Sequence, residues 1–275
     1  MASVLLPRRL RPHVAAVYAF ARAADDFADE GDVDADARLA ALNRWEHYLD
    51  ADSGGLPSGS PHDEIDRLAS DIFPALHHTM RCFGIDVALF RDLLDAFRQD
   101  CTITRYESFP LLLDYCRRSA NPVGRIMLAL FGVSAPAACA ASDALCTGLQ
   151  LANFWQDVSI DAARGRIYIP LEDLRAAGLS AEHCLPGAAK PPALRDVLRR
   201  QVERTRLFFD SALPLFSHLR GLPALEIRAV WLGGSRILDK IARGDYTAFE
   251  NRPTLTKAEH VSILFRAALR LIPHR

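Results

Sequence analysis

Apolar residues recur at three- and four-residue spacing along most of this 275-residue chain. That spacing places apolar side chains on one face of an α-helix, whereas a half-buried strand alternates with a period of two. No long alternating run occurs, and strand signals are limited to short pieces such as RIYIP. The periodic segments begin RPHVAAVYAF, ADARLAAL, DEIDRLAS, DVALFRDL, LLLDYCRR, ALRDVLRR and LEIRAVWL. The sequence therefore predicts an all-α fold of about eight to ten helices.

The breaks between these segments are short. SGGLPSGSPH (53–62) and PGAAKPPA (186–193) are predicted to be loops, because Gly, Pro and Ser cluster in them. Neither resembles a domain linker, since the amphipathic helices on each side need packing partners. Half of the residues are hydrophobic, which is enough for a sizeable core. We therefore expect a single domain over residues 1–275.

Charge and apolar content exclude two broad classes of protein. The chain has 33 basic and 34 acidic residues, a balance that argues against binding to nucleic acid or another polyanion. Its longest uncharged run, residues 126–142, is interrupted by Gly132 and Pro136. We interpret that run as a pair of buried helices, able to line an apolar cavity, rather than a membrane span.

The N-terminus lacks a long apolar stretch of the secretory type, so a cytoplasmic location is expected.

Two helical segments each carry a stripe of polar side chains. At roughly 100° per residue, the first stripe falls within an arc of roughly 60° and the second within roughly 80°. The first consists of Tyr18, Arg22, Asp25 and Asp29. The second consists of Gln150, Asn153, Asp157, Asp161 and Arg164. Each contains D-x-x-x-D, which sets two carboxylates one helical turn apart, where like charges repel.

A cation would relieve that repulsion. A single pair of this kind is usually a solvated helix face, but two pairs with aligned polar neighbours favour a common role. Mg²⁺ prefers oxygen ligands and commonly joins one or two carboxylates to substrate phosphates. Two facing D-x-x-x-D helices could therefore hold Mg²⁺ over a diphosphate. Arg22, Arg164 and Arg166 would add positive charge at that position.

Three segments together resemble one enzyme family. They are YAFARAADDFADE, RYESFPLLLDYCRRSANPVGR and LQLANFWQDVSIDAARGRIYIP. Their order and separation are similar to those of the squalene/phytoene synthase family, the head-to-head trans-isoprenyl diphosphate synthases. The resemblance covers nearly the whole chain, and the third segment is the most specific. It implies an all-α isoprenoid synthase fold, in which a single helical bundle surrounds a central apolar cavity.

The resemblance also implies roles for individual residues. The four aspartates match positions that bind Mg²⁺-diphosphate, and Asn153 matches a position beside the metal. Three residues match positions that contact diphosphate or line the site: Tyr18, Arg22 and Gln150. Arg252, in the tripeptide NRP, matches loosely a group that reaches the diphosphate from the C-terminal side. Three aromatic residues are expected to line the cavity: Tyr115, Phe154 and Trp155. Core packing is the alternative for Phe154 and Trp155.

Within the family, YCRRSANPVGR and NFWQD resemble the bacterial members that form hydroxysqualene. Condensing members usually read N-I-L-R-D, so Gln156 stands where they have arginine. The implied reaction is the Mg²⁺-dependent ionisation and rearrangement of presqualene diphosphate, followed by water capture to give hydroxysqualene and diphosphate. The sequence contains no G-x-G-x-x-G fingerprint, so NADPH is not expected as a cofactor.

Other activities stay open at this point. Within the family they are squalene, dehydrosqualene, phytoene and presqualene diphosphate synthesis. A non-catalytic helical scaffold or assembly factor is the alternative from another class, although a scaffold has no need of four mutually repelling aspartates. The expected partners are presqualene diphosphate or another prenyl diphosphate, and a sister synthase in transient contact. A hydrocarbon-like C30 product also suggests peripheral association with the inner face of the membrane.

Overall fold

The computed structural model describes residues 6–29, 31, 33–50 and 63–271. Within these ranges the chain forms ten α-helices of ten or more residues, two shorter ones and no β-strand. An isolated parallel bridge pairs Arg105 with Ile167. In chain order the helices are α1 (Arg11–Asp29), α2 (Ala35–Asp50), α3 (Glu64–Phe83), α4 (Val87–Asp100), α5 (Phe109–Ser119), α6 (Asn121–Leu130), α7 (Pro136–Ala163), α8 (Leu171–Ala176), α9 (Pro192–Ser211), α10 (Leu215–His218), α11 (Gly221–Arg243) and α12 (Lys257–Ala268). The all-α prediction is confirmed.

The helices group into two compact units. Unit 1 comprises residues 1–103 and 122–134, and unit 2 comprises residues 104–121 and 135–275. The assignment of the whole chain to one domain, with a central cavity, stays a prediction. The predicted loop at 53–62 lies outside the described residues. The loop predicted at 186–193 is irregular up to residue 191, and α9 begins at Pro192.

Unit 1 is built around an aromatic core. Phe20, Trp45, Phe73 and Phe90 are fully buried. The Phe20 and Phe90 rings meet edge to face at 5.2 Å, and Trp45 meets Phe73 at 4.7 Å. Such contacts stabilise a core beyond the effect of buried area alone. They bury one face of α1, and the first polar stripe occupies the opposite face of that helix.

Unit 2 is built around α7, which packs against α9 and α11. Trp155 of α7 is fully buried, and its indole N–H donates to Thr205 Oγ1 of α9 at 2.8 Å. At Gly234 of α11 an added Cβ would lie 2.6 Å from Phe209 Cζ of α9 and 2.7 Å from Leu149 Cδ2 of α7. A glycine at that position therefore permits the three helices to pack.

The limits of α7 follow from local sequence. Pro136 occupies the first helical turn, where its missing N–H is tolerated. Gly165 adopts a φ of +79°, a left-handed conformation that ends the helix. The N–H of Arg166 then donates to the carbonyl of Asp161 at 2.9 Å. The helix thus stops shortly after the second aspartate of the D-x-x-x-D pair.

Two helical predictions need correction. The periodic run 193–216 is interrupted at Pro214, which separates α9 from α10 because proline disfavours a helical conformation in the residue before it. Helix α12 lies outside the segments whose periodicity predicts helices. Its signal is a capping box, in which Thr256 Oγ1 accepts from the N–H of Glu259 and Glu259 Oε2 accepts from the N–H of Thr256.

The uncharged run 126–142 is divided between two helices, as predicted. The end of α6 and the start of α7 contain it, and Gly132, with a φ of +73°, lies between them. Across the residues that the structure describes, no helix has both the length and the apolar character needed to cross a bilayer.

Candidate active site

The first stripe lies on α1, in unit 1. Tyr18 is 54% exposed, Asp25 is half-buried, and Asp29 is exposed at the last residue of the helix. Arg22 lies between acidic groups: its guanidinium is 3.1 Å from Asp25 Oδ2 and 2.5 Å from Asp26 Oδ1. The predicted diphosphate-binding arginine therefore pairs with carboxylates of its own helix.

Arg38 fixes the end of α1. Its guanidinium donates to the carbonyl oxygens of Ala28 at 2.6 Å, Gly31 at 2.8 Å and Val33 at 3.2 Å. The last carbonyls of a helix lack partners within the helix, and a cation there is favoured by the helix dipole. Arg38 thus holds the turn that carries Asp29. Helical periodicity could not identify this residue, because its partners belong to the preceding helix and loop.

The second stripe lies on α7, in unit 2. Gln150, Asp157 and Asp161 are half-buried, and Asn153 is exposed. Arg164 is the C-cap residue that directly follows the last helical residue, Ala163, with a φ of −92° and a ψ of 6°. Its positive charge acts on Asp161, where it opposes the rise in pKa, and its membership of the stripe stays a prediction. The convergence of both stripes on one ligand stays a prediction.

Asp157 and Asp161 differ in their electrostatic environment. Asp157 Oδ1 accepts a charge-assisted hydrogen bond from Arg252 Nε at 2.5 Å. Burial, and next the charge of Asp157, raise the pKa of Asp161 to about 6, while Arg166, Arg164 and Arg252 oppose the rise. The ionised form of Asp161 is thus penalised, and a bound cation would remove that penalty.

This pair of carboxylates fits Mg²⁺. Both groups are hard oxygen donors one turn apart, and the raised pKa of Asp161 shows that the positive charge of the neighbouring arginines does not compensate its burial fully. Mg²⁺ is commonly held by one or two carboxylates together with phosphate oxygens and water. Among the described residues, no group of three or more His, Cys, Asp or Glu side chains is arranged to hold a metal ion by itself.

Gln156 supports the segment that carries Arg252. Its Nε2 donates to the carbonyl oxygen of Pro253 at 2.8 Å, one residue after the arginine that pairs with Asp157. A single helical turn of α7 therefore contacts two successive residues of a segment almost a hundred positions away in sequence. An open groove runs beside this turn, lined in part by Asn153, Gln156, Arg252, Thr254, Leu255 and His260.

An aromatic cluster lies beside the second stripe, and Asp161 lines the same narrow cleft as Phe154 and Tyr168. The Phe154 and Tyr168 rings stack at 3.8 Å with an interplanar angle of 10°. Tyr115 of α5 is buried beside them, 6.2 Å from Phe154 and 6.3 Å from Tyr168. Tyr106 completes the cluster, 5.8 Å from Tyr168. Trp155, by contrast, packs toward α9, although it shares with Phe154 and Tyr168 the lining of a narrow cleft.

Tyr106 and Tyr168 are not among the residues that the sequence predicts to line the cavity. Tyr168 lies in the G-R-x-Y-x-P segment, which follows the second stripe directly, so its position in the motif was the available signal. Tyr106 likewise lies in a segment that resembles the family, RYESFPLLLDYCRRSANPVGR. The isolated bridge between Arg105 and Ile167 brings it beside Tyr168, and that pairing is a tertiary contact.

The comparisons with known proteins identify the family. The family model for squalene/phytoene synthase matches residues 1–259, and the chain therefore belongs to that family. Phytoene synthase 1 of Zea mays, a chloroplastic protein, is 32% identical over 270 residues, which cover 96% of this chain and 63% of that protein. The chain thus spans less than two thirds of the length of the maize relative.

Solved structures show the same fold. The squalene synthase HpnC from Alicyclobacillus acidocaldarius superposes with a TM-score of 0.78 at 36% identity, covering 89% of this chain and 87% of that one. A dehydrosqualene synthase in complex with ligand superposes with a TM-score of 0.75 at 25% identity, covering 97% and 89%. The isoprenoid synthase fold implied by the sequence resemblance is confirmed.

Replacing Arg252 by alanine is expected to lower kcat/KM for a prenyl diphosphate roughly tenfold to a hundredfold, the usual value of a charge-assisted hydrogen bond. Loss of the guanidinium removes the partner of Asp157 and one positive charge from the site. Steady-state kinetics measure the effect. Arg195→Ala is the matched control, since Arg195 forms an exposed pair with Asp245 at 2.6 Å. Equal losses in both variants would contradict a role for Arg252 in the site.

The raised pKa of Asp161 predicts a pH-dependent stability in metal-free buffer. Because that pKa is about 6 in the folded protein, the folded state binds this proton more tightly than the unfolded chain. The contribution of Asp161 to stability is therefore full below about pH 4 and is lost as pH rises through the folded pKa. Asparagine does not titrate, so the melting temperatures of Asp161→Asn and the wild type should diverge across that interval, in favour of the variant as pH rises. Parallel curves would contradict the raised pKa.

Proposed function

We propose that this protein converts presqualene diphosphate to hydroxysqualene. The C–O bond to diphosphate breaks, the cyclopropylcarbinyl cation rearranges, and the oxygen of water bonds to the resulting allylic cation. One proton leaves to solvent, and diphosphate is released. The observation that carries this proposal is the Asp157–Asp161 pair with Arg252 hydrogen-bonded to it, in a chain of the squalene/phytoene synthase family.

The aspartates and arginines would hold the leaving group. Asp25, Asp29, Asp157 and Asp161 are proposed to hold Mg²⁺, with Asn153 beside the metal. When bound, Mg²⁺ neutralises negative charge on the diphosphate as the C–O bond breaks. Five polar side chains are proposed to bind and orient the diphosphate: Tyr18, Arg22, Gln150, Arg164 and Arg252. A cationic ligand for diphosphate oxygens favours departure, because charge develops there in the transition state.

The aromatic cluster would stabilise the carbocation. Phe154, stacked on Tyr168 with Tyr115 beside it, lies on the helix that carries Asp157 and Asp161. Aromatic faces attract cations through their quadrupole, most strongly where water is excluded. Trp155 is proposed to stabilise the carbocation less than Phe154 does, since its indole N–H already donates to Thr205 within unit 2.

Gln156 supports the choice of hydroxysqualene over the condensation products. The condensing members of the family usually carry arginine at the matching position, and arginine would offer charge to a second diphosphate. In this chain the position is neutral, and its amide is bonded to Pro253. Phytoene, squalene and dehydrosqualene synthesis are the alternatives that the relatives' names support.

The proposal is tested with presqualene diphosphate and Mg²⁺ in ¹⁸O-labelled water, with and without NADPH. A labelled C30 alcohol is expected in both reactions, because water supplies the oxygen and no hydride is consumed. A parallel reaction with farnesyl or geranylgeranyl diphosphate alone is expected to give no C30 or C40 product. Squalene formed only with NADPH, or condensation of two prenyl diphosphates, would contradict the proposal and favour one of those alternatives.

A further inference from the structure

Helix α12 exposes large apolar side chains along one face. Val261 is 68% exposed, Leu264 46% and Phe265 64%. At roughly 100° per residue, these three and Ala268 fall within an arc of roughly 100°. The opposite side of the helix buries Ile263 and Ala267 within unit 2. Isolated exposed apolar residues are ordinary, but several that adjoin on one helix face favour a contact surface.

A basic groove adjoins the end of α12. Arg220, Arg228 and Arg270 line it, together with Ala267 and Ala268 of the same helix. No carboxylate is among its lining residues in the described part of the chain. Arg228 lies over the Phe216 ring at 5.9 Å, and burial and the charge of Arg270 lower its pKa. The groove therefore concentrates positive charge next to the apolar face.

The single acidic residue of α12 faces away from this surface. Glu259 pairs with Arg236 at 2.8 Å and Lys240 at 2.9 Å, both on α11. Lys257, at the start of α12, is exposed and adds a positive charge to the side of the helix that carries the apolar residues. The outer surface of α12 therefore combines apolar side chains with positive charge, which is the composition of a helix that lies in a membrane interface.

We propose that the outer face of α12 and the adjoining arginine groove form a docking surface for an anionic lipid bilayer. Val261, Leu264 and Phe265 enter the boundary between headgroups and acyl chains, and Arg220, Arg228 and Arg270 bind lipid phosphates. Charge complementarity favours this occupant over another protein, because the three arginines converge on one groove beside the apolar face. The inference does not rest on the proposed function, since docking requires no turnover.

The test is co-sedimentation of the 275-residue chain with vesicles of phosphatidylcholine, alone or with phosphatidylglycerol. Binding is expected to the mixed vesicles, to weaken with added salt, and to be much lower with phosphatidylcholine alone. Leu264→Ser combined with Phe265→Ser should weaken binding more than roughly tenfold, because both side chains lose apolar burial. Arg270→Glu should weaken it at least roughly fivefold, since each basic side chain near an anionic surface contributes about that factor.

Two control variants match these changes. Leu207→Ser alters a side chain that is 65% exposed on α9 and outside the α12 face, and Arg81→Glu makes the same change of net charge in unit 1. Both are expected to bind like the wild type. Phe265→Trp provides a direct readout, because brominated lipid in the mixed vesicles should quench the fluorescence that this substitution adds to that of the wild type.

The opposite results would overturn the proposal. They are equal binding of all variants, absence of binding to mixed vesicles, or added fluorescence in the Phe265→Trp protein that brominated lipid leaves unquenched. A wild-type dimer in solution that becomes monomeric in the serine double variant would also overturn it, and would assign the α12 face to self-association. Circular dichroism of each variant separates these results from loss of folding.

Discussion

Asp161→Asn is expected to lower kcat between about a hundredfold and a thousandfold while helix content is unchanged. The substitution keeps the size of the side chain but removes the charge that is proposed to hold Mg²⁺ against the departing diphosphate. Asp157→Asn is expected to act in the same way, with the additional loss of the ionic partner of Arg252. Steady-state rates alongside circular dichroism measure both effects. Rates close to those of the wild type in either variant would rule out the metal-binding proposal.

Asp196→Asn is the matched control for these variants. Asp196 is an exposed aspartate on α9 that pairs with Arg199 at 2.9 Å, and its neutralisation is expected to leave the rate unchanged. A general loss of activity in all three variants would point to an effect of net charge rather than to the site.

Gly234→Ala is expected to destabilise the protein by roughly 2 to 3 kcal/mol. The added Cβ would lie 2.6 Å from Phe209 Cζ and 2.7 Å from Leu149 Cδ2, distances that require the helices or the ring to move. Phe209 has little freedom to do so, since it is buried and meets Trp231 edge to face at 5.9 Å. Urea denaturation should show a lower midpoint.

The adjacent glycine supplies the control. At Gly233 an added Cβ would have Leu255 Cδ1 as its nearest neighbour, at 3.9 Å, which is ordinary contact. Alanine also favours the interior of a helix by roughly 0.5–1 kcal/mol relative to glycine. Gly233→Ala should therefore leave stability unchanged or raise it slightly. Equal destabilisation by both substitutions would show that steric contact at Gly234 is not the cause.

The boundaries of α1 could be predicted within a few residues, whereas the partners of the site residues could not. Apolar periodicity identified α1, the uncharged run 126–142 indicated a pair of helices that includes the start of α7, and the D-x-x-x-D spacing placed each aspartate pair on one face. These properties depend on neighbours that are close in sequence. Arg252 shows where this reasoning stops, because its partner Asp157 lies on another element and no local spacing connects the two.

The sequence by itself determined the all-α class, the two acidic helix faces and the family, because each is recorded in local spacing. Only the tertiary structure decided that Arg252 pairs with Asp157, 95 positions away. The same is true of the hydrogen bonds from Gln156 to the Pro253 carbonyl and from Trp155 to Thr205. It also decided which side of α12 remains exposed. These contacts join segments far apart in the chain, and their geometry depends on how whole helices pack, which no local pattern encodes.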